Sequence, residues 1–229
     1  MCDKSPIAGV LVIDKPRGPT SMSMVNLVRR RASESRENRV KTGHAGTLDP
    51  FAEGVLVICI GKMTKKVESL MDHEKEYIAT IQLGSETDTL DTEGKVVKQA
   101  EVIPLSNKGI ESILNTFLGE SKQIPPMYSA LKVNGKRLYE LAREGKVVER
   151  KPRNIIINEI ELLENNKNSL KIRVKCGRGT YIRVLGSDIA SAMNTVGFLK
   201  SLVRTQVGTF MQEDSIAVEN VAEWLSATA

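Results

Sequence analysis

The chain has 229 residues, enough for one large domain or two small ones with a real core, and its 41% hydrophobic and 27% charged residues are ordinary for a globular protein. No apolar run approaches the length of a membrane span, the start "MCDKSPIAGVLVIDKP" lacks the layout of a secretory signal, and Cys2, Cys59 and Cys176 are scattered singly. These features point to a cytoplasmic protein with reduced thiols, and away from a disulfide frame, a zinc site or a membrane partner. The formal charge of +5 is unevenly spread: from Lys122 to Arg153 nine basic residues stand against three acidic ones, a local +6. Such a block suits contact with a phosphate backbone, although a solvated basic loop has the same composition.

In chain order, "GVLVIDKPRGPTS" reads as a short buried strand and a Gly/Pro turn, with Thr20 or Ser21 capping the next helix. That helix sets Met24, Val25 and Val28 on one stripe and brings Arg29, Arg30 and Arg31 to its C-terminal end, where the helix dipole favours cations. The polar run from Ser33 to Asn38 is predicted to be a loop. "GVLVICIG" is continuously apolar and "KEYIATIQLG" alternates Tyr77, Ala79, Ile81 and Leu83 on one face, so both are predicted strands of a well-covered sheet. "SETDTLDTEGKVV" has the composition of a calcium loop, but Leu90 sits where an EF-hand needs an oxygen ligand, so a strand-joining turn is expected.

In "NKGIESILNTFLGE", Ile110, Ile113, Leu114, Phe117 and Leu118 form a helical core stripe, with Ser106 as cap and Gly119 as terminator. A shorter helix, "RLYELAREG", lies inside the basic segment. "SLKIRVKCGRGTYIRVLGSDIASAM" turns Leu170, Ile172, Val174 and Cys176 inward, bends at Gly177 to Gly179, and runs through an extended "TYIR" into a helix. From Asp214 the tail carries an amphipathic stripe of Ala217, Val221, Trp224 and Leu225. Strands and helices alternate without a steady βαβ rhythm, which predicts an α+β fold: one mixed, largely antiparallel central sheet flanked by helices.

The chemistry concentrates in "KTGHAGTLDP", residues 41–50, where His44 lies among glycines and Asp49 is locked against Pro50. Taken alone, Asp-Pro is a helix start, with Asp as N-cap and Pro as first helical residue, and such a histidine is a turn residue. The company of other blocks changes that weighting. "DKPRGPTS", "GHAGTLDPFAEGVLVICIGKMTK", "KEYIATIQLG" and "GRGTYIRVLGSDIA", in this order between about Gly9 and Phe210, together resemble bacterial TruB-type tRNA pseudouridine synthases.

The resemblance implies the pseudouridine synthase fold with a catalytic cleft, and isomerisation of uridine 55 in the T-loop of tRNA. The glycosidic bond breaks, the uracil turns, and it is rejoined through C5. Substrate and product hold the same atoms, so no redox carrier, metal or other cofactor is implied. On the family's pattern Asp49 is the catalytic carboxylate, and Arg183 is the guanidinium that keeps it ionised and fixes its direction. Arg183 follows Tyr181 by two residues, which places both on one face of an extended "TYIR". Tyr77 is implied to stack on the flipped base near C5, and Tyr181 and Leu202 match further positions of the substrate pocket. His44 is implied to fill space vacated by flipped nucleotides, a stacking role that needs no titration.

The basic segment 122–153 matches the family's RNA-gripping insertion, with Lys132, Lys136, Arg137 and Arg143 as candidates for RNA backbone contact. Pro125 and Pro126 stiffen its entry and Tyr128 offers a stacking face. Arg29, Arg30, Arg31, Lys62, Lys65 and Lys66 are further phosphate candidates. Residues 9–210 are thus expected to form the catalytic domain and 211–229 a tail helix, too short for the full PUA-type RNA-binding domain that many members carry. A monomer acting on the T-arm stem-loop, with no obligatory protein partner, is expected. Two other readings are a tRNA-binding folding chaperone for which catalysis is secondary and a glycoside hydrolase. The joint presence of Asp49, Tyr77 and Arg183 speaks against the first, and the lack of a second carboxylate at a recognisable motif against the other.

Overall fold

A computed structural model of the chain describes residues 7–34, 39–133 and 135–227. Cys2 and residues 35–38 of the predicted polar loop lie outside them. The strands are β1 (Gly9–Lys15), β2 (Thr42–His44), β3 (Glu53–Ile60), β4 (Lys75–Leu83), β5 (Ser85–Thr87), β6 (Val96–Gln99), β7 (Gly119–Gln123), β8 (Lys132–Val133), β9 (Lys136–Arg137), β10 (Arg153–Asn166), β11 (Ser169–Cys176), β12 (Gly197–Val207) and β13 (Phe210–Met211). The helices are α1 (Ser21–Ser33), α2 (Val67–Met71), α3 (Asn107–Asn115), α4 (Leu138–Arg143), α5 (Ile182–Ala192) and α6 (Val221–Ala227). The fold is α+β, with a mixed and mostly antiparallel sheet. The chain divides into two compact units, the first made of residues up to Tyr77 and from Leu202 on, the second of Ile78–Ser201.

In the first unit β3 is the centre. β1 pairs antiparallel along its whole length, from Gly9 opposite Ile60 to Lys15 opposite Gly54. Its other edge is shared: β2 pairs antiparallel at Ile58 to Ile60, and β12 pairs parallel at Glu53 and Gly54. Alternate side chains of β3 point to opposite faces, and both faces are covered. Leu56, Ile58 and Ile60 pack with Leu11, Ile13, Met24, Val25, Val28, Val221 and Leu225, while Val55, Val57 and Cys59 pack with Ala45, Leu70 and Val207. Double-sided burial is why β3 reads as a continuous apolar run. Thr20 caps α1 by accepting from the Ser23 N–H at 3.0 Å. The tail forms 3₁₀ turns at Gln212–Asp214 and Val218–Asn220 before the short α6.

In the second unit β4, β11, β10 and β7 follow one another across the sheet. Burial alternates along β4 and β11, as the period-two pattern predicts. Gly186 of α5 permits close helix-to-sheet approach, since a Cβ there would lie 2.8 Å from Leu199 Cδ2. β5 and β6 form the hairpin expected around "SETDTLDTEGKVV". The α3 stripe is shorter than its periodicity suggests: Ile110 and Leu114 are buried, but the helix ends at Asn115 and Leu118, beyond it, is 43% exposed. Among the described residues no helix is long and apolar enough to cross a membrane, and no cluster of three or more His, Cys, Asp or Glu is placed to hold a metal ion.

Candidate active site

Asp49 does not start a helix. Its carbonyl accepts from the Ala52 N–H at 3.1 Å, closing a turn with Pro50 in its second position, and the chain continues directly into β3. Proline's fixed φ suits that turn position as well as it suits a helix start, and the apolar β3 run decides between them. The N-cap expectation for Asp49-Pro50 is therefore corrected.

Every backbone carbonyl from Gly46 to Pro50 is hydrogen-bonded. Arg204 Nη2 donates to Gly46 O and Nη1 to Thr47 O, both at 3.2 Å. Ser21 Oγ donates to Leu48 O at 2.7 Å and accepts from Leu48 N at 2.8 Å. Pro50 O accepts from Gly18 N at 2.8 Å and from Lys15 Nζ at 3.3 Å, and the same buried ammonium reaches Pro16 O and Pro19 O. The "DKPRGPTS" turn and the "GTLDP" loop are thus one hydrogen-bonded body. The half-buried Asp49 side chain projects from a backbone that has little freedom to shift.

His44 ends β2, opposite Ile58. Burial, reinforced by the Arg204 charge, pushes its imidazole below the ordinary pKa of 6.5, so the ring is neutral at physiological pH. Its buried Nδ1 has no hydrogen-bond partner. Arg29 holds β2 in place from α1, donating from Nε to Thr42 Oγ1 at 2.9 Å and from Nη2 to Thr42 O at 3.2 Å. Tyr77 and Leu202, on β4 and β12, are both buried.

In the second unit Arg183 departs from its predicted setting. "TYIR" is not extended: Tyr181 is the N-cap residue of α5, and Arg183 belongs to the first helical turn. The turn at Gly177 to Thr180 redirects the chain, and Gln123 pins the cap by accepting from Tyr181 N at 2.8 Å and donating to Tyr181 O at 3.1 Å. Arg183 is buried. It donates from Nη1 to Thr89 O at 2.7 Å and from Nη2 to Tyr128 O at 2.8 Å, and lies 3.5 Å from Asp91 Oδ2. The guanidinium therefore ties the start of the basic segment to the β5–β6 turn.

In the basic segment Pro125 and Pro126 are buried while Lys132, Lys136, Arg137 and Arg143 are exposed. Arg137 and Arg143 lie over the Tyr139 ring, 5.8 and 5.5 Å from its centroid, and Lys136 is 3.8 Å from Glu144. Tyr139 thus joins Tyr128 as an aromatic of this segment. On α1 the three arginines differ. Arg29 is spent on Thr42 and Asn26, Arg31 pairs with Glu34, and Arg30 joins Arg39 in lining a surface cavity of about 650 Å³.

Sequence reasoning missed Lys15, Asp91 and Arg204, and read Ser21 only as a candidate helix cap and not as the residue that holds Leu48. Lys15 and Arg204 sit in strands where a basic residue reads as surface-facing, and only their burial reveals their work. Asp91 lay within a stretch assigned to a turn. Its signal was the repeated Asp and Thr of "TDTLDT", which suit a loop that folds back on its own backbone.

Residues 30–182 match the family model described as "TruB family pseudouridylate synthase (N terminal domain)". A protein of Francisella philomiragia subsp. philomiragia named tRNA pseudouridine synthase B is 50% identical over 216 residues, 94% of this chain and 70% of that relative. One of the same name from Phocaeicola vulgatus is 47% identical over 217 residues, 94% of this chain and 92% of that relative. Among solved structures, a chain of a Cbf5-Nop10-Gar1 complex superposes with a TM-score of 0.71 at 28% identity, covering 94% of this chain. The present chain spans about half of that one, 54%. With a family model matched over most of its length and a relative so nearly coextensive, this chain belongs to the TruB family of pseudouridylate synthases.

Proposed function

We propose that the chain converts uridine to pseudouridine in tRNA, at position 55 of the T-loop, acting as a cytoplasmic monomer on the T-arm stem-loop. The observation that carries this reading is the 47% identity to a tRNA pseudouridine synthase B of which the chain covers 92%. The immobilised loop that presents Asp49 supports it, because a carboxylate that must act at one sugar carbon gains from a fixed direction.

In this reading the N1–C1′ bond of the uridine breaks, the uracil rotates, and a C5–C1′ bond forms. C5 gives up its proton and N1 gains one, so atoms balance without a co-reactant. Asp49 supplies the carboxylate for bond cleavage, Arg183 the guanidinium, and Tyr77 the aromatic face for the base. Tyr181 and Leu202 complete the pocket. His44, neutral and rich in ring surface, fills the space that the extruded nucleotide leaves. Lys132, Lys136, Arg137 and Arg143 meet the RNA backbone.

The test is tritium release from C5-labelled uridine in a T-arm stem-loop RNA. Wild-type protein should release the label from position 55 alone, and Asp49→Asn should release none while binding the RNA as the parent does. Label released by Asp49→Asn, or from other uridines at equal rate, contradicts the reading.

A further inference from the structure

Arg204 has a place in the first unit that no motif announced. It stands on β12 opposite Gly54 of β3 and is 1% exposed, among the largest fully buried side chains of the protein. The β3 edge beside it is taken by β12 at Glu53 and Gly54 and by β2 from Ile58 on. Between these two partners Val57 O accepts from Ala45 N at 2.9 Å, and Val55 O accepts from Arg204 Nε at 2.7 Å. The guanidinium therefore completes the sheet edge in the gap where the chain leaves β2 and returns as β3. Its two other arms hold Gly46 O and Thr47 O, so one planar group grips both sides of the segment that carries Asp49.

Two glycines make room for this. Gly46 has φ +119°, a conformation that favours glycine, and at Gly54 a Cβ would lie 2.3 Å from Arg204 O. Among the described residues no carboxylate pairs with Arg204. A buried cation without a counter-ion is expensive, and Arg204 offsets that cost with three hydrogen bonds to backbone carbonyls that an apolar side chain would leave without a donor. What an apolar residue cannot do is direct three carbonyls at once; nor can lysine, a point charge without the fork.

We propose that Arg204 is a positioning residue for the reaction, fixing the Gly46 to Asp49 backbone from beneath so that the Asp49 carboxylate meets the substrate in one direction. The inference rests on Asp49 being the reacting carboxylate, as proposed above. The same guanidinium adds to burial in keeping His44 neutral, so it acts on both functional residues of the loop.

The experiment compares Arg204→Met and Arg204→Lys with the parent, using thermal unfolding, affinity for the T-arm stem-loop, and the single-turnover rate of C5 tritium release at saturating protein. Positioning predicts that Arg204→Met still folds cooperatively, with a melting temperature lowered by the loss of three buried hydrogen bonds, and binds RNA within twofold at a temperature where it is folded, yet turns over about 10- to 100-fold more slowly. Arg204→Lys should be slow as well, despite keeping the charge. A folded Arg204→Met at the parental rate overturns the proposal, as does failure of both variants to fold, which makes Arg204 a stability residue. Asp49→Asn run alongside separates the two readings: if that variant is active, the assignment of Asp49 fails whatever Arg204 does.

Discussion

Arg183 and Asp91 form an ion pair of 3.5 Å that is almost wholly withdrawn from water, with 4% and 5% of their side chains exposed. Asp91 is itself held, its Oδ1 accepting from Thr89 Oγ1 at 2.6 Å and from Glu93 N at 2.9 Å. Removing Asp91 takes a charged partner from a guanidinium held where charge is poorly solvated. Asp91→Ala should destabilise the protein by about 3 to 5 kcal/mol. Asp91→Asn removes the same charge but keeps an acceptor for Thr89 and Glu93, and should lose less only by the worth of those two hydrogen bonds, about 1 kcal/mol each. Urea unfolding of the two variants measures the difference, and equal losses would show that the charge on Asp91, and not its hydrogen bonds with Thr89 and Glu93, accounts for the whole effect.

Leu90, between the two groups that Arg183 touches, has φ +61°, in the left-handed region. Its carbonyl accepts from Leu199 N at 3.0 Å, and its neighbours present the Thr89 carbonyl and the Asp91 carboxylate to the guanidinium. The conformation costs an L-residue about 1 to 2 kcal/mol, and a β-branched side chain more. Leu90→Gly should therefore stay within about 1 kcal/mol of the parent, relief of strain offsetting lost packing and added chain entropy. Leu90→Ile should be the less stable of the two by thermal unfolding, although it keeps the apolar volume; the reverse order would mean that packing, not backbone, governs this position.

The elements that bury regular apolar patterns were legible in the sequence. β3 and β4 follow their apolar runs, and α1 follows its stripe and cap, because each is fixed by periodicity that burial rewards. What periodicity could not give were points where the backbone is held by one distant side chain. Arg204 lies 158 positions from Gly46, and Gln123 lies 58 from Tyr181, the residue whose capping turned an apparently extended "TYIR" into a helix start. The Asp-Pro dipeptide was compatible with a helix or a turn, and the strand after it decided. Asp49 and His44 stood out through the blocks around them, whereas Lys15 and Arg204, which hold their loop, carry no local pattern that separates a buried cation from a surface one.

His44 links pH to stability in one direction. Its folded-state pKa is lowered from 6.5 by burial first and by Arg204 second. Above 6.5 the imidazole is neutral in both states and the fold is unaffected. As pH falls below 6.5 the unfolded chain takes up a proton that the folded one resists, so stability falls until the folded-state value is passed. His44→Gln should flatten this part of the profile between pH 7 and 5, and NMR titration of the His44 ring should give a midpoint below 6.5. A ring that titrates above 6.5 would contradict the neutral, space-filling role.

The three arginines near the end of α1 should separate into two kinds when RNA binding is measured against salt. Arg29 makes three hydrogen bonds, to Thr42 and Asn26, and anchors β2; Arg31 is paired with Glu34. Arg30 and Arg39 are exposed, have no ion pair among the described residues, and line the cavity beside Ser33. Each phosphate neutralised by such a cation releases condensed counter-ions and adds roughly one to the slope of log affinity against log salt. The double variant Arg30→Ala, Arg39→Ala should therefore lower that slope by about 2 with its melting temperature unchanged. Arg29→Ala should instead lose about 1 to 3 kcal/mol of stability, with a smaller change in slope. A double variant whose slope equals the parent's would remove this surface from the RNA path and leave the basic segment 122–153 as the main phosphate grip.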